Sequence, residues 1–293
     1  MFKSGFVNII GNPNVGKSTL MNALLGESLS IISAKPQTTR HRIHGILTTD
    51  QHQIVFSDTP GFIDSTAYRL HEKMNRYVHG SFADADVMLF MTTPTEVYPD
   101  EQILLRKLKN LTVPVFLVLN KVDQHSTDEI LQALTAWQER FAFKEFVPIS
   151  ALKKKNTDRL LDLIVGELKE GPAYYPDDQL SNRDMRFFVS EMIREQIFTQ
   201  YREEIPYSTE VVVQQYKEST EITRIEAVIF VNRKTQVSIL VGKGGQAIKS
   251  LGIAARKRIE GFLDHRVHLE LFVKTRENWR DDEKHLNQLG YRK

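Results

Sequence analysis

Eight consecutive residues at 11–18, GNPNVGKS, combine two glycines, a lysine and a serine at the spacing that phosphate chemistry needs. Gly11 and Gly16 permit backbone angles that a Cβ disfavours. Successive N–H groups can then converge on a phosphate at the positive end of the helix that follows. Lys17 is placed to reach β- and γ-phosphates, and the Ser18 hydroxyl to take one position on Mg²⁺. Asn12, Pro13, Asn14, Val15 and Thr19 complete the contact set of the loop. An apolar run at 5–10 precedes the motif and a helical pattern at 19–25 follows it, the strand–loop–helix setting that makes G-x-x-x-x-G-K-[ST] meaningful. These residues imply a bound nucleoside triphosphate.

Three further motifs each close an apolar run: DTPG (Asp58, Thr59, Pro60, Gly61), NKVD (Asn120, Lys121, Asp123) and ISA (Ser150, Ala151). In an open α/β sheet, ligands bind beyond the carboxyl ends of the strands, so all four motifs should share one rim. Asp58 can hold Mg²⁺ through water, and the Gly61 N–H can meet a γ-phosphate. The Asp123 carboxylate can accept from guanine N1 and N2. Adenine lacks those donors, and a site built on such bonds rejects the analogue by ~10⁴-fold or more. Asn120 either bonds the guanine N7/O6 edge or ties the loops together. The Lys121 stem can lie along the base, and the Ala151 N–H can donate to O6. The nucleotide read from this set is GTP, with GDP as its product.

Between Ser18 and Asp58 lies KPQTTRH at 35–41. With the order GKS, DTPG, NKVD, SA, it resembles the first switch of the Era-type bacterial GTPases, the TrmE-Era-like class. The resemblance implies that a threonine closes onto Mg²⁺ in the triphosphate state. Thr39 is assigned that role, with Thr38 as the alternative and Gln37, Arg40 and His41 as neighbouring switch residues. Signalling GTPases carry a water-orienting glutamine directly after this DTxG glycine. Here the position is Phe62, which cannot polarise water, so slow intrinsic turnover is expected. In relatives of the Era type an asparagine of the phosphate loop helps hold K⁺. Asn14 occupies that position, and simple turn geometry beside Pro13 explains it equally well.

The elements that must hold these residues alternate. Apolar strand runs at 54–58, 87–92, 115–120 and 146–150 are interleaved with helical stretches near 69–82, 100–110, 127–140 and 156–170, the pattern of a mostly parallel, doubly wound α/β sheet. Runs at 42–49 and 52–58 across a short polar turn predict one antiparallel hairpin at its edge. The GTPase domain is expected over 1–171, a Pro- and Gly-containing linker over 172–184, and a second domain over 185–293.

That second stretch predicts a helix at 185–201, strands at 210–216 and 224–231, two helices and a strand at 267–273. The order resembles a type II KH domain, a small α+β RNA-binding fold. Its loop would be GKGG (Gly242, Lys243, Gly244, Gly245), which can bring backbone N–H groups and a helix start close to a nucleic-acid backbone. Ile248 would line the base groove, with Lys249 and Arg256 supplying charge. Residues 180–293 carry 20 Lys/Arg against 16 Asp/Glu, whereas 1–179 carry 19 against 21. The stretch 241–276, which includes Lys257 and Arg258, holds eight basic and three acidic residues, the local excess that a polyanion needs. Trp279 and Tyr291 in the tail are available for stacking or for docking on the domain.

The 293-residue chain has 41% apolar content, enough for two cores, and no cysteine, which excludes disulfides and Cys-based metal sites and fits a reducing cytoplasm. The apolar start leads straight into the first strand, so neither a signal peptide nor a transmembrane helix is expected. His41 and His44 read as surface residues without metal spacing. The Era-type resemblance further implies a monomer that binds the 3′ end of small-subunit (16S) ribosomal RNA, assists small ribosomal subunit maturation, and stays cytoplasmic with peripheral association at the cell membrane. Two rivals remain: a GTPase acting on tRNA or in ribosome assembly through a different appended domain, and a GTP-sensing scaffold whose KH-like half binds protein.

Overall fold

Parallel strands covered by helices on both faces leave neither face to water, so they should be apolar throughout. The computed structural model, which describes residues 1–33, 35–63, 65–99 and 102–291, has this in β4 (Val87–Thr92) and β5 (Val115–Leu119), where every residue is buried. The chain divides into two compact units. The first comprises Met1–Ser30, Thr39–Ser65 and Met74–Asn182; the second comprises Ile31–Thr38, Thr66–Lys73 and Arg183–Lys293.

In the first unit the other strands are β1 (Lys3–Ile10), β2 (Ile43–Thr48), β3 (His52–Asp58), β6 (Glu145–Pro148) and β7 (Lys169–Glu170). Their order is β2-β3-β1-β4-β5-β6, with β7 beside β1. β1 runs parallel to β3 and β4, β5 to β4, and β6 to β5; β2 and β3 form the expected antiparallel hairpin. The connecting helices are α1 (Lys17–Leu25), α2 (Arg69–Gly80), α3 (Ile103–Leu108), α4 (Thr127–Arg140) and α5 (Thr157–Glu167). Helix α4 starts on a reciprocal cap, in which Ser126 Oγ accepts from the Glu129 N–H while Glu129 Oε2 accepts from the Ser126 N–H. Asp100 and Glu101, expected at the start of the third helix, lie outside the described residues.

The helix expected to 170 stops earlier. Residues Lys169 and Glu170 instead pair antiparallel with Ser4 and Lys3. The register of β1 with β4 begins only at Val7, so the first residues of β1 offer ladder groups that β7 satisfies. The linker region is also shorter than expected, because residues 172–182 belong to the first unit. The buried Gln53 side chain accepts from the N–H groups of Tyr174 and Tyr175 (2.7 and 2.9 Å) and donates to the Tyr175 carbonyl. Further on, Ile46 N–H donates to the Leu180 carbonyl.

In the second unit, α6 (Met185–Gln200), a short α7 (Ile205–Ser208), β8 (Thr209–Lys217), β9 (Thr223–Val231), α8 (Lys234–Val241), α9 (Gln246–Leu263), β10 (Val267–Thr275) and α10 (Glu283–Gln288) follow in order. The sheet order is β10-β9-β8, with β10 parallel and β8 antiparallel to β9. The expected helix–strand–strand–helix–helix–strand order is present, with α7 and α10 added. Trp279 and Tyr291 are fully buried. Trp279 Nε1 donates to the Ser208 carbonyl and the Tyr291 hydroxyl to Glu210 Oε2, so both residues dock on this unit.

Candidate nucleotide site and nucleic-acid interface

Residues 11–18 connect β1 to α1 through backbone that tolerates no substitution at its glycines. Gly11 has φ +151° and a Cβ there would stand 2.2 Å from the Met91 carbonyl oxygen; at Gly16, φ +104°, it would stand 2.3 Å from Asn120 Nδ2. Asn14 is exposed at the crest with φ +65°, the geometry its turn-forming role requires. Lys17 is buried, and its Nζ donates to the carbonyls of Gly11 (3.1 Å) and Asn12 (2.8 Å). Burial pulls its ammonium down to about 8, against the opposing pull of the Asp58 and Glu96 carboxylates.

The first residue of the first unit after the 31–38 segment, Thr39, meets the start of α1 and the end of β3. Ser18 Oγ lies 2.7 Å from Asp58 Oδ2 and 2.9 Å from Thr39 Oγ1, and Thr39 Oγ1 lies 3.5 Å from the same carboxylate oxygen. The hydroxyl of Thr38, the alternative, donates to the Lys35 carbonyl at 2.7 Å. Asp58 is fully buried; burial raises its carboxyl pKa, while the Ser18 hydrogen bond and the Lys17 charge oppose that shift. Asp58 Oδ1 is buried with no hydrogen-bonded partner among the described residues. Two hydroxyls and one such carboxylate are hard oxygen donors that suit Mg²⁺ shared with phosphates. Among the described residues no cluster of three His, Cys, Asp or Glu could hold a metal.

Thr59 Oγ1 donates to the Ile9 carbonyl at 2.8 Å, and Pro60 and Gly61 are buried behind it. A Cβ on Gly61 would come within 2.7 Å of Pro13, so this backbone lies directly against the phosphate loop. Asn120 resolves its two readings in favour of tying loops. Its Nδ2 donates to the Val15 carbonyl (2.8 Å) and its Oδ1 accepts from the Ala151 N–H (2.9 Å). The Ala151 N–H is therefore taken by Asn120 rather than presented to a base. Lys121, at φ +62°, opens the single helical turn Val122–Gln124 that carries the exposed Asp123, and Ser150 is fully buried beyond β6.

Several residues stand differently from their expected setting. His41 and Arg40 are buried, at 5% and 1% exposure, and His44 is half-buried with its ring 6.1 Å from Phe6. His41 is therefore not a surface residue, and His44 is only partly exposed. Gln37 (φ +60°) contacts His71 Nε2 through Oε1 at 3.2 Å within the second unit. Phe62 is 5% exposed and packs in the core cluster with Ile10, Val78 and Phe90, which keeps any polar group from that position.

Sequence reasoning missed the collar around Asn12. The Tyr98 hydroxyl accepts from the Asn12 N–H (3.2 Å), Glu96 Oε1 accepts from Asn12 Nδ2 (2.7 Å), and Gln102 Nε2 donates to Asn12 Oδ1 (3.1 Å). Their one signal was position, on the segment that leaves the carboxyl end of β4.

In the second unit, Gly242, Gly244 and Gly245 have φ of +72°, +59° and +76°, and a Cβ on Gly242 would meet Ala247 Cβ at 2.6 Å. The loop therefore requires glycine to turn directly into α9. Lys243, Lys249 and Arg256 are exposed, and Ile248 is half-buried. A groove of about 440 Å³ runs between α9 and β10, lined by Ile248, Lys249, Ile253, Arg256, Leu269 and Leu271 among others. Ile253 and the β10 residues were not anticipated; the alternation of half-buried apolar and exposed positions along β10 was the available signal. Arg258, counted with the basic face, is instead committed to Glu195 at 3.1 Å.

Two family models match the chain: "50S ribosome-binding GTPase" over residues 6–121 and "KH domain" over residues 204–280. The chain is 46% identical to the GTPase Era of Clostridium acetobutylicum, covering 100% of this chain and 99% of that protein. It is 44% identical to the GTPase Era of Clostridium kluyveri, with both chains covered in full. Its fold is similar to that of Era in complex with MgGDPNP and nucleotides 1506–1542 of 16S ribosomal RNA, with a TM-score of 0.94, 37% identity and 99% coverage of each chain. A variant of Aquifex aeolicus Era bound to GDP and AlF4⁻ is similar to the same degree, again with TM-score 0.94 and 99% coverage of each chain.

Proposed function

The chain belongs to the Era family of GTPases, and from that premise we propose that it is a slow, GTP-controlled binder of the 3′ end of 16S ribosomal RNA that assists small-subunit maturation. One observation carries the nucleotide half of this reading: the oxygens of Ser18, Thr39 and Asp58 lie within 3.5 Å of one another in a corner next to the buried Lys17. Lys17 would hold the β- and γ-phosphates, the N–H groups of residues 11–19 the remaining phosphate oxygens, and Gly61 the γ-phosphate. Ser18 and Thr39 would ligate Mg²⁺ directly and Asp58 through water. The bound Mg²⁺ would neutralise charge building on the transferred phosphoryl group. Asp123 would accept from guanine N1 and N2, with the Lys121 stem along the ring and Asn120 holding Val15 and Ala151 in register. Phe62, directly after Gly61, is buried in the core and cannot aim water, which supports slow intrinsic turnover. Asn14, exposed at the loop crest, is read as an accessory K⁺ ligand.

The RNA half rests on the glycine loop and the adjoining groove. Gly242, Lys243, Gly244 and Gly245 would clamp the backbone, Ile248 would line the base groove, and Lys249 and Arg256 would pair phosphates. The Era structure that holds 16S nucleotides 1506–1542 supports the choice of RNA. The division of labour is GTPase over 1–171 and RNA binding over 185–293, in a cytoplasmic monomer with peripheral membrane association. Among the described residues, no helix is long and apolar enough to cross a membrane.

The experiment is base exchange at Asp123. Asp123→Asn replaces two acceptors by an acceptor and a donor, so GTP affinity should fall by ~10²-fold or more while xanthosine triphosphate gains. Equal affinity of the unaltered protein for GTP and ATP would overturn the reading.

A further inference from the structure

Asn8 is fully buried in the middle of β1, a polar amide in a strand whose helix-covered faces call for apolar residues. A buried amide is costly unless its hydrogen bonds are made. Asn8 Nδ2 donates to the Ser81 carbonyl and to Asp84 Oδ1 (2.7 Å), and its Oδ1 accepts from the Arg42 guanidinium at 3.3 Å. Arg42 also donates to both oxygens of Asp84 (2.7 and 2.9 Å) and, through Nε, to Ser57 Oγ at 2.6 Å. Ser57 is fully buried, and the Arg42 side chain is 15% exposed. Asn8, Arg42, Ser57 and Asp84 all belong to the first unit, as do Ser18, Thr39 and Asp58.

A guanidinium fork on a carboxylate fixes direction as well as distance. Partial burial works against the ionised form of Asp84, yet the bonds and charge of Arg42 outweigh it and hold the carboxyl below its ordinary value. The clamp lies just beyond the β2–β3 ladder, whose last rung at this end pairs Ile43 with Asp58. Terminal rungs open most readily. Arg42 stands one residue outside that rung and is bonded to Ser57, one residue before Asp58. Thr39 lies three residues back from Arg42, and its hydroxyl meets Ser18 and Asp58. Three residues of extended chain span at most about 10 Å, so a fixed Arg42 bounds where Thr39 can go. The chain from Thr39 to Arg42 and the pair Ser57–Asp58 thus form a ring, closed by the Arg42–Ser57 bond at one side and the Thr39–Asp58 approach (3.5 Å) at the other.

We propose that Arg42, locked by Asp84, Asn8 and Ser57, is a tether that holds the chain following Thr39 against β3, so that Thr39 reaches the metal corner at low entropic cost. The proposal rests on the reading of Thr39 as the Mg²⁺ threonine of the triphosphate state. Arg42 and Asp84 act through the backbone, as positioning residues. Freeing the tether lengthens the mobile chain that Thr39 must order when it closes onto the metal. Triphosphate affinity then falls, while the diphosphate, which does not call on Thr39, is held as before. Asp84 is the better probe, because its side chain is 44% exposed and lies outside the strands, whereas Asn8 and Ser57 are fully buried.

The test measures, in full-length protein with Mg²⁺, the affinities for a non-hydrolysable GTP analogue and for GDP. Asp84→Ala should lower the analogue-to-GDP affinity ratio by about 5-fold, the worth of a partly exposed bidentate pair. GDP affinity should stay unchanged, and Asp84→Glu, which keeps the carboxylate, should recover most of the ratio. Arg42→Lys keeps the charge but not the fork and should lower the ratio as Asp84→Ala does. Thr39→Ala should lower the ratio as well, and Asp84→Ala added to it should lower it little further, since the two act in one chain of contacts. A drop with Thr39→Ala but none with Asp84→Ala overturns the tether and leaves the site reading standing. Equal losses of GDP and analogue affinity with Asp84→Ala also overturn it, because the clamp would then serve the fold alone. No drop with Thr39→Ala overturns the site reading, and the tether falls with it.

Discussion

Ser18 Oγ donates to Asp58 Oδ2 across 2.7 Å, joining the first turn of α1 to the last residue of β3. The bond ties together the carboxyl-end loops of the neighbouring strands β1 and β3. It also leaves Asp58 Oδ1 buried with no hydrogen-bond partner among the described residues.

The metal corner is the first target. Asp58→Asn keeps the shape but removes the charge, and it should lower Mg²⁺-dependent affinity for the GTP analogue by at least about 10-fold. Binding of nucleotide in EDTA should change far less. Titration of Mg²⁺ at fixed nucleotide reads the effect directly. Equal Mg²⁺ requirements in both proteins would remove Asp58 from the metal's coordination sphere.

Lys17 sets a pH dependence. Its folded value of about 8 lies below the ordinary 10.5 because burial disfavours the ammonium. The free protein therefore loses this charge above about pH 8, whereas the phosphate-bound state needs it. GTP affinity should fall as pH rises from 8 to 10, by up to tenfold per unit, with proton uptake on binding. Calorimetry at pH 9 in two buffers of different ionisation enthalpy measures that uptake. No uptake would mean that Lys17 is already charged in the free protein.

Asn14 offers a cation test. If its exposed side chain helps hold K⁺, hydrolysis should run several-fold faster in potassium than in sodium at equal ionic strength, and Asn14→Ala should abolish the difference. A rate indifferent to potassium would leave Asn14 with its left-handed turn as its whole role.

What was legible in the chain followed from locality. Residues 11–18, 58–61 and 120–123 each announce themselves because the chemistry sits in consecutive residues at strand ends, and a parallel sheet gathers strand ends onto one rim. The glycines of 242–245 were legible for the same reason, since each takes a backbone conformation that a side chain resists. Long-range pairings were hidden. Nothing near Asn12 foretells Glu96, Tyr98 or Gln102, and nothing near Trp279 foretells the Ser208 carbonyl. His41 reads as a surface residue because polarity suggests exposure, yet it is buried. Residues 31–38 group with the second unit, where Lys35 and Arg194 bond partners 163 and 156 residues away in sequence.

The most direct measurement is the affinity of the full chain for a synthetic RNA of the 3′-terminal 16S nucleotides, with the GTP analogue and Mg²⁺ bound. It should be compared between the parent and Lys243→Asp with Gly244→Asp. The parent should bind tightly with a steep salt dependence. The variant should lose RNA affinity by at least about 100-fold, with a shallower salt slope and unaltered affinity for the GTP analogue. Undiminished RNA binding by the variant, or no binding of this RNA by the parent, would contradict the account.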